Sequence, residues 1–148
     1  MQVKVLKIHP EATVPQYATA GASGLDLHAR IPHEIYLQPG VRYACPTGIG
    51  IELPEGFEAQ VRPRSGLARK SGVTVLNAPG TVDADYRGEI LAILINHSDT
   101  AFKIDPNQRI AQLVIAPVMR IELVGSNVLT ETDRGAGGFG STDEKVAA

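Results

Sequence analysis

The stretch GIGIELPEGFEAQV, residues 48 to 61, decides how the chain is read. Ile49, Ile51 and Leu53 alternate with Gly50 and Glu52. After Pro54, Glu55 and Gly56 the alternation resumes, with Phe57, Ala59 and Val61 set against Glu58 and Gln60. A period of two puts apolar side chains on one face of an extended strand, whereas a helix would scatter them around its axis. Proline fixes one backbone angle and glycine accepts angles that other residues resist, so LPEGF reads as a turn. Two half-buried strands on either side of a turn predict a β protein.

Working outward, LDLHA (25 to 29) alternates Leu25, Leu27 and Ala29, and VRYAC (41 to 45) alternates Val41, Tyr43 and Cys45. ILAILI (90 to 95) is apolar throughout and too short for an ordinary helix, so it reads as a strand covered on both faces. QLVIAPV (112 to 118) and RIELV (120 to 124) read as two further strands broken near Pro117. LQPGV, NAPG and DPNQ supply further turns. The one expected helix is short, around SGLARKSG (65 to 72). Strand signals recurring roughly every 8 to 12 residues point to an all-β sandwich or barrel.

A length of 148 residues favours one domain with a core able to fold alone. The net charge of −2 gives no whole-molecule attraction to nucleic acid or to a membrane. A single cysteine, Cys45, excludes an intramolecular disulfide and reads as a small buried hydrophobe. MQVKVLKIHPEATVP has neither the apolar run nor the cleavage pattern of a signal peptide, and no stretch reaches transmembrane length. The expectation is a soluble cytoplasmic protein. Asn96-His97-Ser98 spells a glycosylation sequon, but nothing else suggests secretion.

Charge is uneven along the chain. No acidic residue lies between Glu58 and Asp83, while Arg62, Arg64, Arg69 and Lys70 fall within that window. Guanidinium forks pair with phosphate oxygens, and backbone N–H groups near Ser65 and Gly66 can add donors. The alternative is a solvated surface paired elsewhere in the fold. NAPGTVDADYRGEI (77 to 90) follows. Asp83 and Asp85 share a face if the segment is a strand, which would suit a metal or shared acid–base work; if it bends they act apart, or form only a polar hairpin tip. Tyr86 offers a ring for stacking on a sugar or base. His9, His28, His33 and His97 are scattered without zinc spacing and read as structural or exposed.

DRGAGGFGST (133 to 142) fits G-x-G-x-x-G through Gly135, Gly137 and Gly140, and a P-loop spelling in which Ser141 takes the lysine position. Both motifs open a helix, and with six residues after Thr142 none is expected here. What remains is a flexible, arginine-headed glycine tail that can wrap an anion.

Five stretches in order, AGASGLDLHA, PRSGLA, NAPGTVDADYRGEI, RIAQLVI and RGAGGFGST, resemble the motifs of the dUTP diphosphatase (dUTPase) family. The resemblance implies a single jelly-roll-like all-β domain, a distorted barrel or sandwich, over residues 1–132. It also implies a flexible C-terminal arm over 133–148. A homotrimer with shared active sites is implied, which hydrolyses dUTP to dUMP and pyrophosphate with Mg²⁺. That reaction keeps uracil out of DNA and supplies dUMP for thymidylate synthesis. By position, Asp83 orients and deprotonates the water that attacks the α-phosphorus in line. Arg64, Ser65, Gly66 and Gln112 bind phosphate. Asn77, Thr81 and Val82 form the uracil pocket, and Tyr86 packs under the deoxyribose. Arg134, Phe139, Gly140 and Ser141 belong to the arm, with Arg134 on the γ-phosphate and Phe139 stacked on uracil. Asp26 meets Mg²⁺ through water, the metal being held mainly by the triphosphate. Asp85 is read as a structural or interface carboxylate.

Two other readings compete. A dCTP deaminase shares this fold, but its catalytic glutamate would fall at Ile93, which cannot move protons. A jelly-roll lectin or non-catalytic nucleotide-binding regulator would have no need of Asp83 beside a phosphate loop.

Overall fold

The computed structural model describes residues 1–139. Within them, eleven strands and one helix are built on antiparallel pairing throughout. The largest sheet orders β2 (Leu25–His28), β11 (Arg109–Pro117), β6 (Phe57–Pro63) and β8 (Gly80–Val82). A second sheet orders β4 (Arg42–Pro46), β9 (Leu91–Asn96) and β7 (Val73–Val75). Two ribbons complete the fold: β1 (Lys4–Lys7) with β5 (Ile49–Glu52), and β3 (Ile35–Leu37) with β10 (Phe102–Ile104). No sheet among the described residues closes into a barrel.

The alternation read from the sequence becomes the core. Leu27, Ala59, Val61, Ala111 and Leu113 point inward from the large sheet, and Cys45, Val73, Val75, Ala92 and Leu94 from the second; Ile49 and Ile51 of β5 join the same cluster. Burial of these side chains, at about 25 cal/mol for each Å² of apolar surface, is the main force joining the layers. Cys45 is fully buried, as expected. Asn96 is the main polar group of the core. Its amide donates to Leu37 O (2.9 Å) and Thr100 O (2.8 Å), and its Oδ1 accepts from Ser98 N (2.9 Å). A fully buried and engaged asparagine is no glycan acceptor, so the sequon is a structural turn.

Two sequence expectations need correction. ILAILI is not covered on both faces of the chain: Ala92 and Leu94 are buried, but Leu91 is 44% exposed and Ile93 and Ile95 are half-buried. RIELV is not a strand. β11 runs through Ala116 to Pro117, and residues 118–139 carry no strand or helix, leaving Ile121, Leu123 and Val124 exposed. The alternating pattern is real, but a strand needs a neighbour for its N–H and C=O groups, and this segment has no ladder partner in the described chain.

The expected helix forms as α1 (Ser65–Ser71). It starts where β6 ends. It stops at Gly72, whose left-handed backbone (φ 65°) lets its N–H reach back to Ala68 O at 3.2 Å. No residue of α1 is buried, so the helix rides on the surface beside the sheet edge.

Candidate functional site

The central strands set one row of side chains across the large sheet. In register, Gln112 of β11 stands opposite Asp26 of β2 on one side and Arg62 of β6 on the other. Cross-strand partners share a face, so an acid, an amide and a cation line up at the solvent side of the layer. β6 then hands the chain to Arg64, Ser65 and Gly66 at the start of α1. Arg64 Nε donates to Asp26 Oδ1 (3.1 Å) and Arg109 Nη1 to Asp26 Oδ2 (3.1 Å); Arg64 Nη1 also reaches Arg109 O (3.3 Å). Asp26 therefore fixes two guanidiniums at once. With side-chain exposures of 18% for Asp26 and 28% for Arg64, solvent screens their pair only partly. Gln112 Nε2 donates to Pro63 O (2.9 Å), tying β11 to the entrance of α1. The first N–H groups of a helix have no intrahelical acceptor, and Ser65 and Gly66 are exposed. These groups line a cleft of about 350 Å³ in which donors predominate.

Beside it, His28 lies on the same face of β2 as Asp26. Burial holds its pKa below the ordinary imidazole value; Asp26 opposes this and Arg109 adds to it. Its Nδ1 is buried without a hydrogen-bond partner among the described residues.

A second cleft, of about 200 Å³, is lined by Thr81, Val82, Asp83, Tyr86, Glu89, Ile90, Leu91 and Ile93. Asp83 begins a turn closed by Tyr86 N on Asp83 O (3.1 Å), so it does not share a strand face with Asp85. Asp83 lines this cleft and a larger one of about 740 Å³; Asp85 lines only the larger. The Tyr86 hydroxyl donates to Glu89 O (2.9 Å), and the ring lies where any side chain at Gly88 would sit. Asn77 folds over the start of β8, its Nδ2 3.0 Å from where a Cβ on Gly80 would be. Glu89 is not free for chemistry, since its Oε1 accepts from Gly48 N at 2.6 Å.

The two clefts do not meet in one chain. Antiparallel pairing sets Val82 beside Ala59 and Gly80 beside Val61, so Asp83 continues toward Glu58 while Arg64 lies past the opposite end of β6. Six residues of extended chain separate the two levels, about 20 Å at roughly 3.3 Å per residue. Asp26, Arg64, Ser65, Gly66 and Gln112 are thus brought together at one end. Thr81, Val82, Asp83 and Tyr86 are brought together at the other, with Asn77 beside the start of their strand.

The described part of the tail, residues 133–139, lines neither cleft. Arg134 Nε donates to Gly137 O (2.9 Å) within its own turn, and Phe139 is fully exposed. Gly140 and Ser141 lie outside the described residues. Sequence reasoning missed Arg109, although it opens the quoted stretch RIAQLVI; its signal was a cation three residues before Gln112 on the same strand. It also missed Gly24, which lines the phosphate-type cleft.

A family model described as dUTPase matches residues 10–143. The deoxyuridine 5'-triphosphate nucleotidohydrolase of Beijerinckia indica is 61% identical over 87% of this chain and 82% of its own. Those of Nautilia profundicola and Hydrogenobaculum sp. are 52% and 55% identical over 96% and 98% of this chain, and 99% and 100% of their own. Among solved structures, a mutant dUTPase of Staphylococcus bacteriophage 80alpha with dUpNHpp superposes with a TM-score of 0.86, at 22% identity, over 95% of this chain and 98% of that one. A mutant dUTPase of phage phi11 of S. aureus, solved for the coordination of a structural Mg(II) ion, gives 0.79 at 19% identity over 88% and 100%. At such identities the structures establish the jelly-roll-like fold.

Proposed function

The chain belongs to the dUTPase family and hydrolyses dUTP, and we propose that it does so in sites assembled between copies of itself. The observation that carries this reading is the β6–β8 register. It sets Asp83 and the Arg64 cleft about 20 Å apart in one chain, too far to act on one triphosphate. A ring in which the Asp83 end of one copy meets the Arg64 end of the next completes every site; a head-to-tail contact can close as such a ring, and a ring of three is the homotrimer that the family resemblance implies.

In that site Arg64, the Ser65 and Gly66 N–H groups and Gln112 hold phosphate oxygens and take up the charge that develops on them. Asp83 accepts a proton from a water in line with the α-phosphorus, which yields dUMP and releases pyrophosphate. Its exposed place at a turn leaves room for that water. The backbone of Thr81 and Val82, with Asn77, recognises uracil. Tyr86, fixed by its bond to Glu89 O, supports the deoxyribose and leaves no room for a 2′-hydroxyl.

Among the described residues, no three His, Cys, Asp or Glu side chains converge as a metal site. Asp26, with both oxygens already engaged by guanidiniums, fits an outer role toward a hydrated cation, and a hard ion such as Mg²⁺ would draw most of its oxygen ligands from water and triphosphate. When bound, Mg²⁺ supplies charge neutralisation across the phosphate oxygens.

Residues 133–148 act as an arm over the 1–132 domain, Arg134 meeting the γ-phosphate and Phe139 the uracil ring, with Gly140 and Ser141 adding close backbone contacts. Among the described residues no helix is long and apolar enough to cross a membrane. We place the enzyme in the cytoplasmic nucleotide pool, where it keeps uracil from DNA and feeds thymidylate synthesis. The deaminase reading is disfavoured because Ile93, in the glutamate position, presents hydrocarbon to the nucleoside-type cleft. The test is pyrophosphate release from dUTP with Mg²⁺ by the full chain. Absence of turnover, or ammonia release from dCTP, overturns the reading. Loss of residues 133–148 should leave a folded trimer that turns over poorly; full activity would remove the arm from the mechanism.

A further inference from the structure

We infer that Gly24 is a positioning residue of the phosphate cleft, holding Gln112 in its working place by having no side chain. This deepens the proposed function and rests on it for the identity of the ligand, a phosphate oxygen of the substrate.

Gly24 and Gln112 line the same cleft as Arg64, Ser65 and Gly66. A Cβ on Gly24 would lie 2.5 Å from Gln112 Oε1, 3.2 Å from its Cδ and 3.2 Å from its Cβ. The backbone of Gly24 is outside the left-handed region, so its conformation does not itself demand glycine. What stands against a methyl group there is the Gln112 side chain. That side chain is tethered at its other corner, where Nε2 donates to Pro63 O at 2.9 Å. An amide nitrogen carries two N–H donors, so the second remains for an anion in the cleft. Pro63 directly precedes Arg64, so this amide ties the strand carrying Arg109 and Gln112 to the entrance of α1.

An alanine at 24 therefore forces a choice. The Gln112 amide swings away, giving up Pro63 O and its aim into the cleft, while little else moves. The atom met most closely is the far end of a flexible side chain, and the Gln112 Cβ at 3.2 Å need give by only a few tenths of an ångström, so the fold tolerates the change and the chemistry does not.

The experiment is a double-mutant cycle on the full chain with dUTP and Mg²⁺, reading kcat, KM and the thermal midpoint. Gly24→Ala should lose about tenfold or more in kcat/KM, as expected for a misplaced hydrogen bond to a charged group, with its midpoint within a few degrees of wild type. Gln112→Ala should lose a similar factor. In the Gln112→Ala background the methyl meets no amide and only the remaining Cβ at 3.2 Å, so Gly24→Ala should add at most a small further loss. Wild-type kcat/KM in Gly24→Ala, or losses that multiply in the double variant, would overturn the inference. If Gly24→Ala alone does not fold, the double variant should recover the fold, and its failure to do so overturns the inference equally. The Gln112 side-chain amide resonances should shift in Gly24→Ala, and this readout needs no turnover. Resonances left in place refute the positioning role, whereas an inactive wild type refutes the dUTPase reading alone.

Discussion

Asp83 is an exposed carboxylate on a turn, flanked by a tyrosine whose position is set by Glu89 O and Gly88. Asp83→Asn preserves shape and removes the carboxylate proposed as proton acceptor. It should lower kcat by at least about 100-fold while a non-hydrolysable dUTP analogue still binds within a few-fold of wild type, as calorimetry can measure. Cys45 illustrates the opposite case, a reactive group made inert. Burial, with a smaller contribution from Glu89, pushes its thiol up to about 12 from 9.0. The folded chain thus keeps a proton that the unfolded chain releases. Stability is complete below the ordinary thiol value and declines above it as pH rises toward about 12, by at most ~1.4 kcal/mol per pH unit. Tyr43, raised for the same reason, adds in the same direction. Urea titrations at increasing alkalinity should show this decline, and Cys45→Ala should make it shallower.

At the level of elements, α1 depends on its end more than on its face. Gly72 takes a left-handed conformation, and a Cβ there would lie 2.9 Å from Ser98 N. Gly72→Ala meets strain in both the helix cap and the neighbouring turn, so it should cost more than ~1 kcal/mol in urea unfolding. Elements long enough to show a period were legible: LDLHA, GIGIEL, FEAQV and the α1 segment stand where the sequence puts them. β3, β7, β8 and β10 have three residues each, too few for alternation to declare itself. RIELV declares itself clearly and yet forms no strand, because periodicity reports a face and not the partner that would cover it. ILAILI misled in the same way. The site followed a similar division. Arg64, Ser65, Gly66 and Asp83 were carried by local motifs. The Asp26–Arg64 pair joins residues 38 positions apart, and its link to Arg109 spans 83, so neither was visible until the sheet brought them together.

For the whole molecule, the decisive feature is the separation of two half-sites along β6. If each working site takes Asp83 from one copy and Arg64 from its neighbour, two dead variants can rescue each other. Asp83→Asn and Arg64→Gln should each be nearly inactive alone. Mixed in equal amounts, unfolded together and refolded, they should regain about a quarter of wild-type turnover, the chance that both halves of a site come from sound chains. A mixture as dead as its components would place both groups in one chain's site.

The β6–β8 ladder also changes what a concentration of this protein means. A lone chain carries Asp83 with no phosphate cleft within reach, and a cleft whose carboxylate, Asp26, is already engaged by Arg64 and Arg109. If sites form only between copies, activity per chain should be set by mass action, falling on dilution and rising with expression, so that abundance itself would control the rate.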